Sequence, residues 1–406
     1  MSGQETMKIS LKKEYLFALA LTVFFAVSMN YDWRAGYFAW YGSLLLVFAM
    51  YLLTFNGRFR FNNISFELWF ISFIALCAVS FLWALSISVA MDIIKSLIVV
   101  LAVLVLIRSA LELGFCLDTL LRCYFIATLV NAIYIVFTID IAQLGEMQLG
   151  TELLGGWNGN GIGFMMAQGV LIGWYLFQKA ENKLSKLFYA VYITALIFLT
   201  LYTGSRTAFF MLVVEILLYV CLCHPTKIAR NVLISFVLVA VVLYLVMNVE
   251  SLYKVLGVRL EGLFALFSGE GEVDSSANVR DIFIENGKKW FSEKPFLGFG
   301  INNYKVLNQA ATGRFVYAHN TFIELAVDLG SVGLIWYYSI YVYLIVRLLK
   351  SIKDNRMNVF LLSALVASLM SQYGTVSYYG FYQNFFLLLC FFAVRKAKKE
   401  RIANRI

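Results

Sequence analysis

Residues 231–248 read NVLISFVLVAVVLYLVMN, an apolar run of 18 residues without a charged side chain. An α-helix rises about 1.5 Å per residue, so about 20 apolar residues cross the roughly 30 Å hydrocarbon core of a bilayer. We therefore predict a transmembrane helix here, and eleven further apolar runs predict eleven more. These runs lie at residues 14–29, 36–54, 66–83, 89–107, 119–138, 159–177, 187–203, 206–222, 319–346, 359–373 and 379–394.

The composition of the whole chain agrees with this prediction. Of its 406 residues, 61% are hydrophobic and 14% are charged, whereas soluble domains have about 45–50% apolar and about 25% charged residues. These values exclude a water-soluble enzyme and predict an all-α integral membrane protein with about 12 transmembrane helices. We divide the chain into helices 1–9 at residues 1–248, one large extramembrane loop at 249–318, and helices 10–12 with a basic tail at 319–406.

The positions of the basic residues indicate the orientation. The chain has 33 Lys and Arg against 24 Asp and Glu, a net charge of +9. Connections rich in Lys and Arg stay in the cytoplasm, and here the basic residues fall in alternate connections. Both termini are therefore expected in the cytoplasm and the 249–318 loop on the outer side. We expect a multi-pass protein of a bacterial plasma (inner) membrane, whose active site faces the periplasm or exterior. The positive charge reflects this orientation and indicates no nucleic-acid partner.

The 249–318 loop is the extramembrane segment large enough to build a site. Apolar residues recur at helical spacing over 251–267, which predicts an amphipathic helix on the lipid surface. A second short helix is predicted at 277–292, because Pro295 follows it. Between these helices stand Glu270, Glu272 and Asp274. We interpret them as a solvated hinge rather than a divalent-cation site, and we expect no metal site.

Three residues on the outer side point to chemistry. Arg206 lies between two apolar runs, Arg280 lies in the loop, and His319 heads the tenth span. An Arg at the outer surface opposes the positive-inside bias and needs an anionic partner. Guanidinium groups bind phosphate oxygens in a planar fork, and an imidazole accepts a proton from a hydroxyl. Taken singly, a snorkelling Arg and a helix-capping His are the alternatives. Together, the three are the minimum set for glycosyl transfer from a lipid diphosphate.

Short motifs surround these residues. They are GSR at 204–206, Arg280 followed by Trp290, PFLGFGINNY at 295–304, HN at 319–320, EL at 324–325 and LGSVGL at 329–334. In order, spacing and expected topology, the chain from 157 to 346 resembles the O-antigen ligase and O-antigen polymerase superfamily of bacterial membrane glycosyltransferases. The earlier spans match it in hydropathy alone.

The resemblance implies a helical GT-C-type fold that acts on undecaprenyl-diphosphate-linked glycans at the outer face of the plasma membrane. It implies no cofactor, no nucleotide sugar and no required metal. Arg206 and Arg280 would bind the donor diphosphate, and His319 would activate or orient the acceptor hydroxyl, which makes these three the catalytic candidates. Inversion at the anomeric carbon is expected, because attack opposite a bound leaving group needs no covalent intermediate.

Two groups of Asn residues are further candidates for substrate binding. Asn158 and Asn160 match an Asn-containing family motif at an outer helix end, although Gly159 stands where family members often carry Pro. Asn320 follows His319 directly in the HN motif.

Two charged residues complete the candidate set for substrate binding. Lys95 lies three residues after Asp92 in the fourth span, and an ion pair between them makes the intramembrane charge tolerable. A contact from Lys95 to the diphosphate is the alternative. Glu324 follows His319 by five residues, a separation at which a contact with the imidazole is left open.

The leading hypothesis is a polymerase of undecaprenyl-diphosphate-linked repeat units of O-antigen, capsule or exopolysaccharide. Both donor and acceptor would be lipid-linked, with membrane lipids and a chain-length regulator protein as candidate partners. The alternative is a ligase that transfers the glycan to the lipid A core of lipopolysaccharide, since the same three residues fit both. A flippase or transporter of lipid-linked oligosaccharides is an alternative of another class. Transporters tend to show internal repeats and midplane polar residues, and neither pattern is evident in the sequence.

Overall fold

A computed structural model gives the fold and describes residues 11–29, 36–140, 143, 146, 149, 158–223, 227–268, 275–352 and 355–403. These residues form helices and loops and contain no strand. The prediction of an all-α membrane protein is confirmed. The acidic stretch with Glu270, Glu272 and Asp274 lies outside the described residues.

Sixteen helices are labelled here in chain order. They are α1 (Leu11–Met29), α2 (Gly36–Phe55), α3 (Ser65–Val79), α4 (Ile87–Glu112), α5 (Leu117–Thr138), α6 (Gly159–Lys179), α7 (Lys183–Tyr202), α8 (Arg206–Cys223), α9 (Ile228–Asn248), α10 (Glu250–Leu252), α11 (Val258–Ser268), α12 (Ser275–Glu293), α13 (Tyr304–Thr312), α14 (Thr321–Leu349), α15 (Arg356–Ser371) and α16 (Phe381–Ala403). A 3₁₀ turn (Ser80–Leu82) extends α3, and a π-helical turn (Tyr253–Gly257) joins α10 to α11.

Each of the twelve predicted spans overlaps one of these helices. Within the described part of the chain, eight helices are long and apolar enough to cross a membrane, namely α2, α3, α4, α5, α7, α8, α9 and α14. The other four spans, at α1, α6, α15 and α16, stay predictions.

The chain packs as two compact units. The first comprises Met1–Asn62, Val105–Val213 and Leu233–Arg259, and the second comprises Asn63–Leu104, Val214–Val232 and Leu260–Ile406. In the first unit α1 packs against α2 and α5, and α6 packs against α7. The α6–α7 contact is close because α6 carries Gly169 there, where a Cβ would lie 2.6 Å from a methyl group of Leu196. In the second unit α14 packs against α12, α15 and α16.

The predicted surface helix at 251–267 has a different environment from the one expected. Leu252, Val255 and Leu256 are buried, and the π-helical turn packs against α7. The prediction that this part of the apolar stripe lies on lipid is wrong, because protein covers it. The second predicted helix of the loop is present as α12.

A break at Gly330 divides α14 into two helical parts. Gly330 has φ 64° and ψ −166°, a region that is open essentially to glycine alone. The 295–304 segment fills the break: the N–H of Ser331 donates to the carbonyl of Pro295 at 2.8 Å, and that of Gly300 donates to the carbonyl of Asp328 at 2.8 Å. A Cβ on Gly330 would lie 2.2 Å from the carbonyl carbon of Phe296. Gly298 of the PFLGFGINNY motif serves the same close packing, since a Cβ there would lie 2.4 Å from the carbonyl oxygen of Val327.

The buried carboxylate of Asp328 fixes the end of the same segment. It accepts hydrogen bonds from the backbone N–H of Asn302 at 2.6 Å and of Tyr304 at 2.7 Å. Since a buried carboxylate needs such donors, this contact ties the start of α13 to α14.

Candidate active site

The second unit builds a rigid frame under His319. Phe283 and Trp290 of α12 lie in one core cluster with Tyr304, Ala318 and others. The hydroxyl of Tyr304 donates to the carbonyl of Phe283 at 2.7 Å. These contacts hold α12 against the loop that leads into α14.

The backbone around His319 is fixed on both sides. His319 has φ 54°, a left-handed conformation that costs a residue with a Cβ about 1–3 kcal/mol. On one side the N–H of Ala318 donates to Oε2 of Glu324 at 2.7 Å. On the other side Oδ1 of Asn320 caps α14 by accepting from the N–H groups of Phe322 and Ile323 at 2.9 and 3.1 Å. These hydrogen bonds hold the strained conformation in place.

The imidazole of His319 lies between two aromatic rings. Its centroid is 4.2 Å from that of Tyr317 and 6.2 Å from that of Phe283, whose ring is nearly parallel to it. Burial and, to a smaller extent, the positive charge of Arg280 lower the pKa of His319 to about 4. The imidazole is therefore neutral at neutral pH. Within the described part of the chain, its buried Nδ1 has no hydrogen-bond partner.

Arg280 reaches the surroundings of His319 because α12 orients it. It lies one helical turn before Phe283, on the same side of α12. Its positive charge disfavours protonation of the His319 imidazole and so lowers the pKa of His319. The structure thus brings together two of the three residues that the sequence singled out.

Arg206 belongs to the first unit and is held by its side chain. It opens α8 directly after the turn of Gly204, which has φ 62°. Nη1 of Arg206 donates to the carbonyl of Arg259 at 3.2 Å, and Nη1 of Arg259 donates to the carbonyl of Gly204 at 2.7 Å. The two guanidinium groups therefore lie at the same turn. That of Arg206 is bonded to the backbone of Arg259, and that of Arg259 is bonded to the backbone of Gly204.

Arg259 is not among the residues that the sequence singled out, although it lies within the predicted amphipathic helix at 251–267. An Arg on the outer side needs an anionic partner, and this holds for Arg259 as it does for Arg206. The same signal could therefore have identified Arg259.

Asn160 connects the start of α6 to the turn of Arg206. Its Oδ1 accepts a hydrogen bond from the hydroxyl of Ser205 at 2.6 Å. Asn158 is the N-cap of α6, and its side chain accepts from the N–H of Asn160 at 2.9 Å. Both Asn residues thus lie beside Arg206, and their contact with substrate stays a prediction.

Comparison with known families agrees with this geometry. Residues 188–338 match the family model described as O-antigen ligase. This match supports the resemblance of the chain to the O-antigen ligase and polymerase superfamily. The matched segment begins within α7 and ends within α14, so it contains Arg206, Arg280 and His319. No curated protein matches the chain.

The predicted site residues fall into two groups. Those of the first unit are Arg206, Asn158 and Asn160, and those of the second are Arg280, His319, Asn320, Glu324 and Lys95. The predicted ion pair of Lys95 is confirmed, with Nζ 3.3 Å from Oδ1 of Asp92. Glu324 is fully buried and bonds the backbone of Ala318, while its Oε1 has no hydrogen-bond partner among the described residues.

Across the described ranges, no three His, Cys, Asp or Glu side chains come together as they would around a metal ion.

Proposed function

We propose that this protein is a polymerase that transfers a glycan from undecaprenyl diphosphate to a lipid-linked repeat unit. The match of residues 188–338 to the O-antigen ligase family model supports a membrane enzyme of the glycosyltransferase or ligase type. The observation that carries the proposal is the imidazole of His319, whose buried Nδ1 has no hydrogen-bond partner among the described residues and whose pKa is lowered by burial and by the charge of Arg280. The imidazole suits proton acceptance, and the guanidinium of Arg280 suits the anionic leaving group.

The transfer step follows from these roles. The acceptor hydroxyl oxygen attacks the anomeric carbon and forms the new glycosidic bond, while its proton passes to His319. The bond from the anomeric carbon to the diphosphate oxygen breaks, and the diphosphate leaves with the electron pair. Arg280 and Arg206 offset its charge. Attack opposite the leaving group inverts the anomeric carbon.

Arg280 also links donor binding to base strength. Without donor, its charge lowers the pKa of His319. A bound diphosphate offsets that charge, so the pKa of His319 rises when the donor is in place. The imidazole therefore becomes a stronger base in the complex that needs one.

The remaining assignments complete the proposal. Asn158 and Asn160 beside Arg206, and Asn320 beside His319, contribute to substrate binding, as do Lys95 and Glu324. The reaction takes place on a GT-C-type fold at the outer face of the bacterial plasma membrane, with both termini in the cytoplasm. It requires no cofactor, and a chain-length regulator protein is a candidate partner.

The test uses the purified full chain in lipid nanodiscs with a defined undecaprenyl-diphosphate repeat unit. Products are resolved on a gel without nucleotide sugar or added metal. We expect a ladder, which Arg280→Ala abolishes and Arg314→Ala leaves intact, since Arg314 is exposed in the same unit. A single transfer that appears only with lipid A core would overturn polymerisation in favour of ligation. No transfer in either reaction would overturn both and favour a transporter.

A further inference from the structure

The exposed surface of α14 changes abruptly at Gly330. Between 321 and 330 no residue is exposed, whereas exposed apolar side chains begin at Val332 and continue with Ile335 and Trp336. The 29 residues of α14 would extend about 43 Å, well beyond a hydrocarbon core of about 30 Å. The part from 331 to 349 alone would extend about 28 Å. The membrane-crossing part of α14 therefore starts after Gly330.

Two other candidate spans, α3 and α4, end beside the segment that fills the Gly330 break. The connection between α3 and α4 contacts the segment that fills the Gly330 break: Nε1 of Trp83 donates to the carbonyl of Leu297 at 3.1 Å. The N–H of Ile301 donates to the hydroxyl of Ser80 at 3.0 Å. The candidate spans of this region end at Leu82 and begin at Ile87. The ends of three spans thus meet at the segment that fills the Gly330 break.

Large apolar side chains are exposed where these span ends meet the 295–304 segment. Leu82 is 85% exposed, Leu85 50%, Phe296 72% and Leu297 48%. We call these four residues the apolar rim. The exposed residues of α12, directly before the rim in the chain, are instead mainly charged: they include Asp281, Glu285, Lys288, Lys289 and Glu293. The surface changes from charged to apolar within a few residues, as expected at a membrane boundary.

We propose that the apolar rim rests in the lipid surface, at the boundary between hydrocarbon and headgroups on the side of His319. Lipid is the occupant because the rim continues the exposed apolar side of α14 that begins at Val332. The backbone contact supports this continuity, since the N–H of Val332 donates to the carbonyl of Phe296 at 3.3 Å.

The rim sets the height of His319. The outer part of α14, from 321 to 329, holds His319 about 13 Å from the rim along the helix axis. Headgroups occupy only about 5–8 Å on each side of the core. His319 therefore lies at the level of sugars beyond the headgroups, as the proposed glycosyl transfer requires. Only this link to glycosyl transfer rests on the proposed function.

Spin labels on single cysteines test the rim. The parent is the full chain with Cys116→Ser and Cys223→Ser, because the other four cysteines are buried. Phe296→Cys places a label on the rim. Phe315→Cys is the matched control, a Phe that is 49% exposed in the loop before His319. In nanodiscs of phosphatidylglycerol and phosphatidylethanolamine, power saturation compares collisions with oxygen, which partitions into lipid, and with a water-soluble nickel chelate.

We expect oxygen collisions to exceed nickel collisions at Phe296→Cys and the reverse at Phe315→Cys. Leu82→Cys provides a second rim position and should match Phe296→Cys. A nickel-dominated label at either rim position overturns the proposal, and so does an oxygen-dominated label at Phe315→Cys, because it would place the His319 loop in lipid. The measurement needs no donor, so failure of glycosyl transfer would leave its outcome unaffected.

Discussion

The turn of Arg206 and the loop of His319 fix their functional side chains in opposite ways. Each places its functional side chain at or beside a left-handed residue, Gly204 in the first case and His319 itself in the second. At the turn, the side chain of Arg206 is bonded to the backbone of Arg259. At the loop, the backbone is bonded on both sides, while Nδ1 of the imidazole has no partner in the described residues.

The difference follows from the chemistry of the two groups. A guanidinium carries five donors, so one bond to a carbonyl leaves others for a phosphate. A neutral imidazole has one acceptor nitrogen, and a protein bond to it would remove the group that must take a proton. We infer that removing a side chain should act differently at the two places. Loss of the His319 side chain should lower kcat while the loop keeps its conformation, whereas loss of a contact at the turn of Arg206 should weaken donor binding.

The largest effect is expected for His319→Ala. Loss of a general base lowers kcat by about 10²–10⁴-fold, while the backbone bonds of Ala318 and Asn320 remain and the protein stays folded. The rate of ladder formation and the thermal midpoint measure the two effects. His224→Ala is the matched control, since the chain has two histidines. An active His319→Ala enzyme would remove the contrast between the two places.

The next effect is expected for Arg259→Ala. The guanidinium bond to Gly204 is charge-assisted and contributes about 1.5–3 kcal/mol, so its loss should raise the KM for donor by about 10–100-fold. Arg259→Lys should recover part of this, since an ammonium still donates one bond. Lys254→Met is the control, because Lys254 is paired with Glu146 and Glu250 at the exposed surface.

The double variant Arg206→Ala with Arg259→Ala sharpens this prediction. If Arg259 acts by holding the turn of Arg206, the two losses are less than additive. Fully additive losses would show that the two residues act independently, which would contradict the role of Arg259 at the turn.

The helices could be predicted because apolar runs are local features. The helical span from 231 to 248 lies within α9. By contrast α13, of 9 residues, is too short and too polar for a hydropathy pattern. The candidate residues Arg206 and His319 were found because a charged or titratable group beside an apolar run stands out in a sequence, and Arg280 was found because it lies in the loop on the same side of the membrane.

The supporting contacts could not be predicted because they join distant parts of the chain. Arg259 bonds a carbonyl 55 residues away, and no spacing rule connects them. Asp328 appears in the sequence as one polar residue of an apolar run. Its role depends on the break at Gly330, which brings the 295–304 segment against it. Tertiary contacts, rather than local pattern, decide such positions.

A smaller effect is expected where the loop is held by Glu324. Glu324→Leu removes the acceptor of the Ala318 N–H, and an unsatisfied buried donor costs about 1–3 kcal/mol. The free energy of unfolding should fall by that amount, and kcat should fall with it as the His319 loop relaxes. Glu324→Gln keeps an acceptor oxygen and should retain both. Equal inactivity of the two variants would instead assign the carboxylate to proton transfer.

The smallest effect concerns the pKa of His319. Because burial lowers this pKa from 6.5 to about 4, the base form persists as the pH falls, and kcat/KM should stay level from neutral pH until it drops near pH 4. Arg280→Gln removes the second cause but keeps the burial, so the pKa should rise only part of the way towards 6.5. Histidine NMR in a His224→Gln parent, which leaves one imidazole, measures both values. A pKa near 6.5 in the parent would mean that the imidazole is as hydrated as an exposed one, and the contrast with the turn of Arg206 would fail.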